Sequence, residues 1–70
     1  MTDRIRITVE LNEDVAWQLA QFCKRSTFDQ FYELTEQHLP DEERKNRAYK
    51  MISGIDSVAR GLSEAGVAPR

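Results

Sequence analysis

The first apolar pattern in the chain has a period of two. Ile5, Ile7, Val9 and Leu11 alternate with polar residues, and three of the four are β-branched. Such alternation places the apolar residues on one side of a β-strand. It therefore predicts a strand over residues 4–11 whose apolar side belongs to the core. Since no other segment resembles a strand, the backbone groups along its edges favour pairing between two chains.

The spacing changes to a helical one after this segment. Asn12, followed by the acidic pair Glu13 and Asp14, is typical of a helix N-terminus. A first helix is predicted over residues 13–25. Its inward side is predicted to consist of three large and three smaller residues, namely Val15, Leu19, Phe22, Ala16, Ala20 and Cys23.

Two more helical segments are predicted. Ser26 or Thr27 can cap a helix that begins here. The segment 27–37, which is rich in aromatic residues, is predicted to be a short helix or an ordered loop. Pro40 cannot continue a helix but suits the start of one. A last helix is predicted over residues 41–65, where apolar residues recur every three or four positions. Within it, Gly54 and Gly61 lie seven residues apart, either by chance or because another element approaches closely.

The end of the last helix carries a specific local signal. Gly66 suits the left-handed position after a helix, and Leu62 and Val67 form the hydrophobic pair of a Schellman motif. The predicted fold class is α+β, mostly α: one N-terminal strand followed by two or three helices, β-α-α-α. Residues 1–70 form a single small domain.

Composition limits how such a short chain is stabilised. Cys23 and His38 are the only cysteine and histidine among 70 residues, which excludes an intrachain disulfide and disfavours a zinc site. Oligomerisation or a larger partner remains as the stabilising device. No signal peptide and no membrane-spanning run is recognisable, so we expect a cytoplasmic protein without membrane contact.

Catalysis is not expected. No nucleophile–base pair, glycine-rich phosphate loop or alternating calcium loop is present, which predicts a non-enzymatic protein without cofactor or metal.

The charges are segregated. Residues 29–43 contain six acids and no Lys or Arg, whereas residues 44–50 contain four bases and no acid. This is either a solvated surface that complements helix dipoles or an acidic patch that docks on a basic protein surface. Three aromatic residues in the same region either fill the core or contact that partner. The candidate partner-binding residues are Phe28, Asp29, Phe31, Tyr32, Glu33, Glu36, Asp41, Glu42 and Glu43.

The opening stretch, Arg-Ile-Arg-Ile-Thr-Val-Glu-Leu over residues 4–11, resembles that of ribbon-helix-helix proteins. In that family two strands from two subunits pair and enter the major groove of DNA. The resemblance implies a dimeric DNA-binding regulator or antitoxin that contacts DNA through Arg4, Arg6 and Thr8. The acids that follow depart from the family pattern.

A second resemblance covers most of the chain. Its residues are Leu-Ala-Gln-Phe-Cys-Lys-Arg at 19–25, Ala-Tyr-Lys-Met at 48–51 and Leu-Ser-Glu-Ala-Gly-Val-Ala-Pro-Arg at 62–70. They resemble an uncharacterised family of short bacterial proteins found around plasmids and phages (domain of unknown function 7706).

This context implies an interaction protein of a mobile element. The leading hypothesis is an inhibitor of a host defence complex, similar to anti-CRISPR proteins, that binds a CRISPR effector subunit and covers its basic nucleic-acid-binding surface. A DNA-binding regulator and a homodimer formed through the N-terminal strand, with no ligand, are the alternatives.

Overall fold

The computed structural model describes residues 3–69, which form three helices. Helix α1 spans Glu13–Arg25, α2 spans Phe28–Glu33 and α3 spans Asp41–Glu64. Both α1 and α2 pack on α3, which is the longest element. Residues 1, 2 and 70 lie outside the described part, including the last residue of the C-terminal stretch quoted above.

The buried residues of α1 and α3 are small. Ala16 and Ala20 are the buried residues of α1, and Ala48 on α3 is fully buried. Alanine keeps the two helices close but removes little apolar area from water. Phe31 of α2 and the following Thr35 are the other buried residues described. The core is therefore thin for a chain of this length.

The predicted N-terminal strand is wrong. No residue between 3 and 12 has strand structure, and none of the described residues belongs to a sheet. The fold class is all-helical rather than β-α-α-α. A strand requires a backbone partner as well as an alternating pattern, and the rest of the described chain consists of helices and short connections.

The apolar row of the N-terminal segment is also not part of the core. Residues 3–11 are all exposed, and the exposed fraction falls from 89% for Ile5 to 39% for Leu11. We call residues 3–11 the arm.

The orientation of α1 differs from the predicted one. Ala16 and Ala20 face the core as expected, but Val15 and Phe22 are each about half exposed. These two residues lie seven positions apart and hence on the same side of the helix. The buried side of α1 therefore consists of Ala16 and Ala20 rather than of Val15 and Phe22.

The helix ends show which local signals were read correctly. Asn12 is the N-cap of α1, although its side chain makes no capping hydrogen bond. Thr27 is the N-cap of α2, where its N–H donates to Gln30 Oε1 at 2.9 Å. Helix α2 is shorter than the predicted 27–37, since Leu34 and Thr35 already donate to carbonyls only three residues back.

The Schellman motif after α3 is confirmed. The Val67 N–H donates to the Leu62 carbonyl at 2.8 Å, and the Gly66 N–H donates to the Ser63 carbonyl at 3.0 Å. Gly66 has a φ of 94°, which an L side chain rarely adopts.

We predict that alanine at Gly54 or Gly61 raises the free energy of unfolding by about 1 kcal/mol, because alanine is the better helix former. A Cβ at either position meets no atom within 4 Å, so no steric cost opposes this gain. Urea denaturation followed by circular dichroism measures the effect.

The matched control for this measurement is Gly66→Ala. Its surroundings are equally open, but its positive φ makes the substitution destabilising. A loss of stability in Gly54→Ala would contradict the prediction and would indicate that another molecule covers this side of α3.

Candidate protein-binding site

Arg44 joins the start of α3 to the end of α2. Its Nε donates to Thr35 Oγ1 at 2.8 Å and its Nη2 donates to the Tyr32 carbonyl at 3.1 Å. The guanidinium also lies over the Tyr32 ring, with Cζ 4.1 Å from the ring centroid. A cation at this position satisfies a terminal carbonyl of α2 and complements the negative end of its dipole.

Tyr32 makes a second contact with α3 through its hydroxyl group. This hydroxyl donates to Asp41 Oδ1 at 2.5 Å, while Lys45 Nζ lies 3.2 Å from Asp41 Oδ2. The hydrogen bond to Asp41 raises the pKa of the Tyr32 hydroxyl. The same bond from Tyr32, followed by the bond from Lys45, lowers the pKa of the Asp41 carboxyl.

Arg47 pairs with two further acids. Its Nη1 lies 2.9 Å from Glu36 Oε2 and its Nε lies 3.1 Å from Glu43 Oε1. A backbone hydrogen bond within Glu36, and then the charge of Arg47, lower the pKa of the Glu36 carboxyl. All three side chains are about half exposed, so these pairs neutralise surface charge more than they stabilise the fold.

The six acids of residues 29–43 thus fall into two groups, one with cationic partners within residues 3–69 and one without. Three of the six, Glu36, Asp41 and Glu43, have cationic partners. The other three, Asp29, Glu33 and Glu42, are exposed and form no salt bridge within residues 3–69.

The aromatic residues are divided in a similar way. Phe31 is buried and belongs to the core. Phe28 is half-buried, and its ring centroid lies 5.9 Å from that of Tyr32 and 5.2 Å from that of Tyr49. Tyr49 itself is 60% exposed. An exposed aromatic that is held by ring contacts is a preorganised contact group.

These observations define one surface on α2 and α3. Asp29 follows Phe28 directly, and Glu33 lies one turn further along the same side of α2. Glu42 and Tyr49 lie seven residues apart on one side of α3, with Lys45, whose charge is paired with Asp41, between them. We call this surface the acidic–aromatic face; it consists of Phe28, Asp29, Glu33, Glu42 and Tyr49.

Tyr49 was not among the residues proposed from the sequence. Its neighbour Ala48 belongs to the inward stripe of α3, and a residue next to that stripe lies about 100° away from it around the helix. This offset was the available signal that Tyr49 points away from the core.

The residues of the DNA-binding alternative lie on the arm. Arg4, Arg6 and Thr8 are exposed, but a ribbon that would present them to a DNA groove requires a strand, and the arm forms none.

Groups that could support other chemistry were also located. Burial raises the pKa of the Cys23 thiol, which reduces its thiolate fraction at neutral pH. In the described part of the chain, no three His, Cys, Asp or Glu side chains are grouped so that they could hold a metal ion. Among the same residues, no helix has the length and apolar character needed to cross a membrane.

Comparison with known proteins places the chain in a family. A family model matches residues 1–70. The chain belongs to a family of unknown function, DUF7706. No curated protein and no solved structure matches it. Membership in DUF7706 agrees with the resemblance found in the sequence and carries no assigned activity.

We predict that Tyr32→Phe raises the pKa of the Asp41 carboxyl, because it removes the largest cause of its depression. An NMR titration of the Asp41 carboxyl carbon measures this shift. Tyr49→Phe is the matched control and leaves Asp41 unchanged. An unaltered Asp41 titration in Tyr32→Phe would contradict the hydrogen bond.

The same contact predicts how stability depends on pH. The lowered pKa of Asp41 stabilises the fold above the unfolded value of about 4, and this contribution is lost as the pH falls through the folded value. The raised pKa of Tyr32 stabilises the fold below about 10, and this contribution is lost as the pH rises through the folded value. In Tyr32→Phe the dependence that comes from Tyr32 is expected to disappear, and the one that comes from Asp41 is expected to weaken, because Lys45 still lowers the pKa of Asp41.

Proposed function

We propose that the chain is a non-enzymatic protein-binding protein that docks its acidic–aromatic face on a basic surface of a partner. The observation that supports this most directly is the Phe28–Tyr49 ring contact at 5.2 Å on two helices that also carry three exposed carboxylates with no salt bridge within residues 3–69. The aromatic pair supplies apolar contact area and the carboxylates supply charge.

The two kinds of group have different roles in docking. Tyrosine is enriched among residues that dominate interface energies, since it offers a large rigid surface with a polar tip. Tyr49 has this character because its ring contacts that of Phe28 while the residue remains 60% exposed. Asp29, Glu33 and Glu42 would accelerate and orient the encounter with a basic partner.

A specific version of the proposal is an inhibitor of a host defence complex, similar to anti-CRISPR proteins. Exposed carboxylates on a rigid helical surface carry the same sign of charge as nucleic-acid phosphates. They would compete for a basic nucleic-acid-binding surface on a CRISPR effector subunit. The mobile-element origin implied by the sequence resemblance belongs to this version.

The acidic–aromatic face is not suited to nucleic acid itself. Phosphates are repelled by carboxylates, whereas binding to DNA requires cations that release its counterions. The DNA-binding alternative stays a prediction, since it requires the arm to form a ribbon with the arm of a second copy.

Binding of purified CRISPR effector complexes to the immobilised chain tests the specific version. Tyr49→Ala is expected to weaken binding by about tenfold or more, as is typical for an interfacial tyrosine anchor. Glu42→Lys is expected to slow association and reduce its salt dependence.

Glu64→Lys is the matched control, since it makes the same charge change at the far end of α3. Failure of every effector to bind would remove the anti-CRISPR version. A captured partner whose affinity is the same for wild type, Tyr49→Ala and Glu42→Lys would show that the chain binds through a different face.

A further inference from the structure

The exposed arm leaves apolar side chains in water that folding within one chain does not cover. The exposed fractions of Ile5, Ile7 and Val9 are 89%, 71% and 63%. These residues alternate along the arm and so lie on one side wherever the backbone is extended. A contiguous apolar row of this kind marks an interaction surface.

The total surface of the chain shows how much is left uncovered. A compact monomer of 8.1 kDa is expected to expose about 4,500 Å². This chain exposes 6213 Å², a surplus of about 1,700 Å². A standard interface buries about 800 Å² on each partner. The surplus is therefore ample for a stable association.

The three helices, which we call the body, carry a second apolar surface that no part of residues 3–69 covers. Its character suits contact with the arm. Val15 and Phe22 form a half-exposed stripe along one side of α1. Phe22 also lines an open cleft with the amide side chains of Gln18, Gln21 and Gln30. Amides beside an apolar surface suit an extended segment whose own N–H and C=O groups lack partners.

Charge and length agree with the arm lying along α1. The arm begins with Asp3, has the cations Arg4 and Arg6 in its first half, and has the acid Glu10 near its end. Helix α1 has acids in its first turn and cations in its last turn. Residues 4–10 span about 20 Å when extended, and residues 13–24 of a helix span about 17 Å. An arm parallel to α1 brings its cations to the acidic end of the helix and Glu10 to the basic end, although these side chains extend from the side of the arm opposite its apolar row.

In its own chain the arm is exposed and does not cover this stripe. A second copy supplies both surfaces, and it is present whenever the chain is. The thin alanine core favours such an assembly, since a chain of this size with one cysteine needs a stabilising association.

We infer that two copies of the chain form a dimer in which the arm of each lies parallel to α1 of the other and covers the Val15–Phe22 stripe. The contact joins side chains of the arm to a helix. Reciprocal exchange closes the assembly at two copies, because each arm and each stripe is used once. This interface shares no residue with the acidic–aromatic face, although Gln30 at its cleft follows Asp29 directly on α2, and different variants test the two proposals.

Sedimentation equilibrium of the full chain over a range of concentrations tests the dimer. The wild type is expected to be dimeric at micromolar concentration. Ile7→Asp is expected to raise the dimer dissociation constant about tenfold or more, since it places a charge in the apolar row. Thr8→Asp is the matched control, because it adds the same charge on the other side of the arm and leaves the dimer intact.

Disulfide trapping tests the arrangement in chains where Cys23 is replaced by alanine. Mixed Val9→Cys and Phe22→Cys chains are expected to cross-link on addition of diamide, whereas mixed Ile5→Cys and Phe22→Cys chains are not. This test leaves the rest of the arm unchanged and therefore does not depend on how well Ile7→Asp folds.

Three outcomes would overturn the inference. The first is a wild type that remains monomeric at the highest concentration. The second is a dimer that Ile7→Asp and Thr8→Asp affect equally. The third is cross-linking from Ile5→Cys but not from Val9→Cys.

Discussion

The position of α2 depends on the guanidinium of Arg44. A helix of six residues has too few internal hydrogen bonds to persist in water by itself. Arg44 fixes its end by donating to Thr35 and to the Tyr32 carbonyl while its plane rests on the Tyr32 ring. Lysine would preserve the charge but could not make the planar, forked contact. The placement of Phe28 against Tyr49 follows from this anchor.

The two sides of α3 are used for different purposes. It contacts α1, whose buried residues are the small side chains Ala16 and Ala20. Towards α2 it supplies Arg44, Asp41 and Tyr49, so that contact is largely polar and aromatic. The body is thus held by one long helix, and its surfaces are more distinctive than its core.

Local signals in the sequence were sufficient for the start of α1 and the end of α3, but not for the end of α2. Asn12 is the N-cap residue without a side-chain capping bond, and the Leu62–Gly66–Val67 motif forms as predicted. The prediction of a strand in the arm was wrong because alternating apolar residues indicate only which side of a strand would be apolar. Whether a strand forms depends on a backbone partner, which the period of Ile5 and its neighbours cannot reveal.

The site was only partly predictable for a similar reason. The acids and aromatics were identified by composition, but their division into paired and unpaired groups depends on contacts between α2 and α3. Glu36 and Arg47 pair although they lie eleven residues apart and on either side of Pro40, just before α3 begins. Similarly, the choice of Ala16 over Val15 for the core depends on how closely α3 approaches. Neither relation is encoded in a local pattern.

The separation of arm and body has a consequence for folding kinetics. Helices and short connections make most contacts of the body local in sequence, and chains of this kind fold on a time scale of microseconds to milliseconds. The arm forms neither a helix nor a strand and is not part of the body. The burial of its apolar row on a second copy is therefore a bimolecular step, whose rate depends on the concentration of the chain and on the time that newly made chains spend alone.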